Sequence, residues 1–104
     1  MNETIKKSLS MKNEWIENNK EKVLKQLDKD ILKAGAKGRT YLEYRSHMPG
    51  TPDCITAFMV GNIKIMAQMI NENYGDDVVV MYDTHQSEYH DIQLKMDWSK
   101  SDDK

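Results

Sequence analysis

The stretch Asp77-Val-Val-Val-Met-Tyr-Asp-Thr-His-Gln-Ser-Glu-Tyr-His-Asp-Ile-Gln-Leu-Lys-Met-Asp-Trp98 decides the fold. Its second half alternates: Ile92, Leu94, Met96 and Trp98 fall on one side, Asp91, Gln93, Lys95 and Asp97 on the other. A period of two with one apolar side describes a half-buried antiparallel strand. Its first half, Asp77 to Asp83, is a β-branched run that predicts a strand in a central position of the sheet. The polar residues Thr84 to Glu88 between them read as a turn, so the two strands form a hairpin.

Upstream, Met48-Pro-Gly-Thr-Pro-Asp53 is a turn leading into a helix, with Thr51 as the expected N-cap and Pro52 as the first helical residue. This helix runs to Asn73 or Tyr74 and stops near Gly75. It is apolar around most of its circumference and therefore needs cover on two sides. Gly61 inside it costs about 1 kcal/mol relative to Ala, which suggests close approach of another backbone. The segment Arg39 to His47 is a further strand, with Thr40, Leu42, Tyr44 and Ser46 on one face and Arg39, Tyr41, Glu43, Arg45 and His47 on an exposed face. Before it, Ile16, Val23, Leu24, Leu27, Ile31 and Ala34 recur at helical spacings, predicting an amphipathic helix over residues 11–34 that ends at Gly35 and Gly38. Residues 1–10 read as a frayed turn or short helix, with Ser8 and Ser10 as candidate N-caps. Trp15 is expected to cover the core edge.

The expected fold is α+β, order α-β-α-β-β, with two helices packed on one face of a small three-stranded sheet. Residues 1–98 form one domain and 99–104 a polar tail expected to be mobile. One face of such a sheet is left without helical cover.

At 104 residues the chain is one average domain. A single cysteine, Cys54, excludes an intramolecular disulfide and any cage of several cysteines around zinc. Cys54 sits near a helix start, where thiols can be activated, but its expected role is that of a buried structural thiol. The apolar residues around 54–70 are interrupted by Thr56, Asn62, Lys64 and Gln68, too polar to span a membrane. The opening residues lack the pattern of a secretion signal, so the expectation is a soluble cytoplasmic protein. The net charge of −2 divides unevenly: residues 1–45 hold eleven basic and seven acidic residues, residues 46–104 four and ten. Acidic residues mixed among the lysines of the first helix describe a solvated face rather than a nucleic-acid footprint.

Asp83 to His90 is the one concentrated set of ligand-type residues, with His85 and His90 as weak metal candidates. Their spacing matches no tight ligand pattern, so no metal and no cofactor is expected, and a small metal-dependent enzyme built on this hairpin is the least favoured function. Gly-Ala-Lys-Gly38 follows a helix and lacks the rest of a phosphate-binding loop. Facing away from the helices, Val79 and Met81 join Tyr41 in an apolar patch edged by Arg39, Glu43, Arg45, Gln93 and Lys95. Aromatic, Met and Arg residues are favoured in protein interfaces, so the patch is the candidate partner-binding surface, for another protein or for a second copy in a homodimer. Stacking of single-stranded bases on the same tyrosine is the alternative, weakened by the acidic strands.

The layout of a Lys-rich helix ending Ile-Leu-Lys-Ala-Gly-Ala-Lys-Gly38, a strand, an apolar helix closing at Asn-Tyr-Gly75 and a hairpin ending Ile-Gln-Leu-Lys-Met-Asp-Trp98 resembles small phage and prophage proteins of Gram-positive hosts. The resemblance covers residues 22–98. It implies a non-enzymatic protein that occupies a surface on a host protein, as a host-takeover or anti-defence inhibitor in the host cytoplasm. It supplies no site residues.

Overall fold

A computed structural model describes residues 2–84 and 92–103. The elements, in order, are α1 (Glu3–Ala36), β1 (Tyr41–Arg45), α2 (Asp53–Tyr74), β2 (Val79–Thr84), β3 (Ile92–Asp97) and a closing 3-10 turn (Ser99–Asp103). The fold is α+β, with two helices and one three-stranded sheet, as expected, and both strand pairings are antiparallel.

Helix α1 is longer than its core-facing stripe predicts. It begins at Glu3, where Asn2 Oδ1 accepts a hydrogen bond from the Thr4 amide at 2.6 Å. Ser8 and Ser10 are therefore interior residues and not caps. No glycine or proline interrupts residues 3–34, so nothing in the sequence stops the helix from extending past the core. The 34 residues of the helix, rising about 1.5 Å each, reach roughly the length of the whole molecule. The long axis of that molecule is 51 Å. Ile16, Val23, Leu27 and Ala34 are buried, whereas Ile5, Leu9 and Met11 are exposed, so the first three turns overhang the domain. At the other end Gly38 takes φ +75°, a left-handed conformation that reverses the chain. The amide of Arg39 then donates to the Ala34 carbonyl at 2.9 Å.

The start of α2 differs by one residue from expectation. Pro52 occupies the cap with extended backbone and the helix begins at Asp53. The Thr51 hydroxyl caps nothing in the helix; it donates to the Arg45 carbonyl at 2.8 Å and ties the loop to the edge of β1. Within α2 the backbone leaves helical geometry at Val60, Gly61 and Asn62. Gly61 has φ +85°, and no neighbour lies within 4 Å of where a Cβ would sit. Its role is the kink and not close approach of another backbone, as the sequence had suggested.

The strand order is β1-β3-β2. Strand β3 is central and β2 is an edge, which corrects the central position expected for β2. The β-branched run fails as a guide because Val78 and Val80 face the helices while Val79 and Met81 do not, so the run is only half core. The alternating β3 is hydrogen-bonded on both sides.

Leu42, Met96 and Val80 form one cross-strand row on the helical side, and Tyr44, Leu94 and Tyr82 the next. Over them lie Ile55, Phe58, Met59, Ile63, Met66 and Ile70 of α2 with Val23 and Leu27 of α1, one continuous core. Trp15 covers its margin, as an aromatic at a core edge does. Its ring stacks on Phe58 with centroids 5.9 Å apart. Two phenols tie the layers to α1. Tyr44, in β1, donates to Asp30 Oδ2 at 2.6 Å, and Tyr74, in α2, donates to the Asp28 carboxylate. Ser46 is a fully buried polar residue beside the core, and its hydroxyl is hydrogen-bonded, as most buried polar groups are. Its Oγ accepts from the Ile92 amide at 2.9 Å.

Candidate functional site

Both helices pack against the same side of the sheet, so the residues of opposite parity form its second face. Three cross-strand rows make that face: Tyr41, Asp97 and Val79; Glu43, Lys95 and Met81; Arg45, Gln93 and Asp83. Seven residues singled out in the sequence, Tyr41, Glu43, Arg45, Val79, Met81, Gln93 and Lys95, therefore lie together. The eighth, Arg39, precedes β1 and turns toward the end of α1, where it lines a groove with Lys33 and Lys37.

Met81 is 52% exposed and Tyr41 41% exposed, while Val79 is half-buried between its neighbours. These fractions are high for apolar side chains held in a regular sheet, where the rigid backbone fixes the spacing that they present. Lys95, on the central strand, places its Nζ 5.2 Å from the centroid of the Tyr41 ring. This is a cation–π arrangement that holds the phenol against the sheet. With the Gln93 amide turned oxygen toward the guanidinium, Arg45 donates to it from Nε at 3.0 Å. The Ser99 amide donates to the Asp97 carboxylate at 2.8 Å. That bond favours the charged form and holds the Asp97 carboxyl below its ordinary range. A shallow hollow of about 210 Å³ lies among Glu43, Met81, Asp83, Gln93 and Lys95.

The formal charge of this face is two cations, Arg45 and Lys95, against three carboxylates, Glu43, Asp83 and Asp97. A surface of net −1 does not attract a phosphate backbone, whose binding depends on uncompensated Lys and Arg. Chemically the face is a polar central strip, Asp97, Lys95 and Gln93 of β3, flanked by Tyr41 on one outer strand and by Val79 and Met81 on the other. Tyr and Met are residue types enriched in protein contacts.

The metal candidates His85 and His90 lie outside the described residues, as does most of the turn expected between β2 and β3. Among the described residues no group of three His, Cys, Asp or Glu side chains is placed to hold a metal ion. Cys54 is half-buried and packs against the core, in the second position of α2. No helix among the described residues is long and apolar enough to cross a membrane.

One feature escaped the sequence reading. Beside the last turns of α1, the outer edge of β1 borders a groove of about 430 Å³ lined by Asp30, Lys33, Lys37, Arg39, Tyr41 and Glu43, with Gly50 at its far side. The four-residue spacing of Lys33 and Lys37 was visible, but it reads as ordinary helix-end charge until β1 is known to be an edge. Comparison with known protein families, with curated proteins and with solved structures returned no match.

Proposed function

We propose that this protein is a non-catalytic binding protein that acts by occupying a surface on another protein through the uncovered face of its sheet. The observation that supports this reading most is the exposure of Tyr41 and Met81 at fixed positions on a face that neither helix covers. The Tyr41 ring, the Met81 thioether and the Arg45 guanidinium match residue types enriched in protein interfaces, Tyr and Arg above all. The layout resemblance to small phage and prophage proteins is the ground for taking the partner to be a host protein and the effect to be inhibition or redirection of its activity.

The test replaces both apolar anchors, Tyr41→Asp together with Met81→Asp. Both side chains face away from the core, so circular dichroism and the thermal midpoint should stay close to those of the unchanged chain. Affinity capture from a Gram-positive host lysate should recover a protein with the unchanged chain and lose it with the double variant. Equal recovery by both chains refutes the assignment of this face. Self-association that the double variant abolishes, with no host protein recovered, assigns the face to a homodimer instead.

A further inference from the structure

The sheet has a second surface open to a partner, distinct from its uncovered face: the outer edge of β1. Which backbone groups it presents follows from the ladder. The Ser46 amide donates to the Ile92 carbonyl and the Trp98 amide to the Thr40 carbonyl, both at 2.9 Å. In an antiparallel pair the residues alternate between hydrogen-bonded and non-hydrogen-bonded positions. Residues 40, 42, 44 and 46 therefore bond to β3, and Tyr41, Glu43 and Arg45 direct their N–H and C=O outward. Arg45 is already occupied, by the Thr51 hydroxyl at 2.8 Å from its carbonyl oxygen and 3.4 Å from its amide nitrogen. Among the described residues, nothing pairs with the N–H and C=O groups of Tyr41 and Glu43, and both residues line the groove beside α1.

The charge around this edge is specific. Lys33, Lys37 and Arg39 stand on its α1 side, and of the two carboxylates present Asp30 is engaged by Tyr44 Oη at 2.6 Å and Gln26 Nε2 at 3.0 Å. We propose that the β1 edge is a strand-addition site for an extended acidic peptide segment. The main chain of the segment bonds to Tyr41 and Glu43, and alternate Asp or Glu side chains reach Lys33, Lys37 and Arg39. Strand addition obtains affinity from main-chain bonds and selectivity from alternate side chains, and this edge provides for both. A second copy of the chain is a poorer occupant, because its own β1 carries one carboxylate, Glu43, against one cation, Arg45, and offers no excess negative charge to the positive rim.

The test uses a fluorescein-labelled peptide of alternating glutamate and valine, followed by fluorescence anisotropy at low ionic strength. Capture is expected, weakening with added salt, and an alternating lysine and valine peptide should fail to bind. Glu43→Pro removes one outward N–H without touching a bond to β3, a position where an edge strand tolerates proline. It should lower affinity about tenfold or more, the factor that corresponds to ~1.4 kcal/mol. A second variant, Lys33→Glu with Lys37→Glu, alters exposed side chains only and should abolish capture, which keeps the idea testable if the proline variant folds poorly. Met81→Asp, on the open face, should leave peptide capture unchanged and so separates this site from the proposed protein-binding face. Equal affinity of the unchanged chain and the Lys33→Glu, Lys37→Glu variant, equal capture of the lysine peptide, or loss of capture in Met81→Asp each overturns the proposal. So does a dimer in sedimentation that Glu43→Pro dissociates, since the edge is then taken by a second copy.

Discussion

Replacing Tyr44 by Phe removes one oxygen and leaves the ring in place, and the structure sets both the size and the pH dependence of the consequence. The Tyr44 hydroxyl donates to Asp30 at 2.6 Å, and only 4% of the residue is exposed. A hydrogen bond to a charged acceptor contributes about 1.5–3 kcal/mol. The variant should lose that much near neutral pH, and no more, because Asp30 keeps its bond from Gln26 at 3.0 Å. In a domain of this size the loss lowers the thermal midpoint by roughly 4–8 °C per kcal/mol. Burial, and then the Asp30 carboxylate, raise the Tyr44 phenol well above its ordinary value. Below a pH of about 10 the phenol is protonated in both the folded and the unfolded chain, and its full stabilisation is present. Above it the unfolded chain releases a proton that the folded chain keeps. Stability then falls by ~1.4 kcal/mol per pH unit from this residue alone. The stability gap between the unchanged chain and Tyr44→Phe should therefore narrow by ~1.4 kcal/mol between about pH 8 and pH 11, with Tyr74 and the lysines common to both chains. Urea unfolding followed by the fluorescence of Trp15 and Trp98 across that range provides the measurement. A gap that stays constant from neutral to alkaline pH refutes the assignment of a protonated, buried Tyr44 bonded to Asp30.

Phe58→Ala should cost about 3–5 kcal/mol, because the ring is fully buried, and should shift Trp15 emission to the red as its stacking partner disappears. Asn71 donates through its side-chain amide to the carbonyls of Gly75 at 3.2 Å and Val78 at 2.8 Å. Asn71→Ala should therefore lose about 1–3 kcal/mol in urea unfolding by freeing the α2 to β2 link. Gly61→Ala meets no atom, but it places a Cβ on a backbone at φ +85°. Calorimetry should read a loss of about 1–2 kcal/mol from the left-handed strain. Asn2→Ala removes the cap of an overhanging helix end; amide exchange should quicken over residues 3–10 while the global urea midpoint stays unchanged.

Most of the element order was legible because each element has an internal period. The alternation of Gln93, Leu94, Lys95, Met96 and Asp97 set the facing of β3, and the spacing of Ile16, Val23 and Leu27 set the facing of α1. Where the elements stop was less legible. Residues 3–10 have no packing partner to impose a period, so helix there follows from propensity and an Asn2 cap, and Ser8 and Ser10 pointed the wrong way. The order of the strands was not legible from residue type, since Val78 to Val80 suits an edge with one buried side as well as a centre. Parity alone grouped Tyr41 with Val79, Met81, Gln93 and Lys95, and the observed register places those residues on one face. Arg39 falls outside that group because the turn at Gly38 directs it to the α1 groove. The outward backbone of Tyr41 and Glu43 carried no sequence signal, because it depends on which neighbour β1 lacks.

The most direct test of the open sheet face as a binding surface is an amide and methyl NMR footprint of the isotope-labelled protein, titrated with any host protein recovered by affinity capture. Shift changes gathered at Tyr41, Val79, Met81 and Lys95 are expected. Changes gathered on the outward sides of α1 and α2, with those four residues unmoved, contradict that assignment.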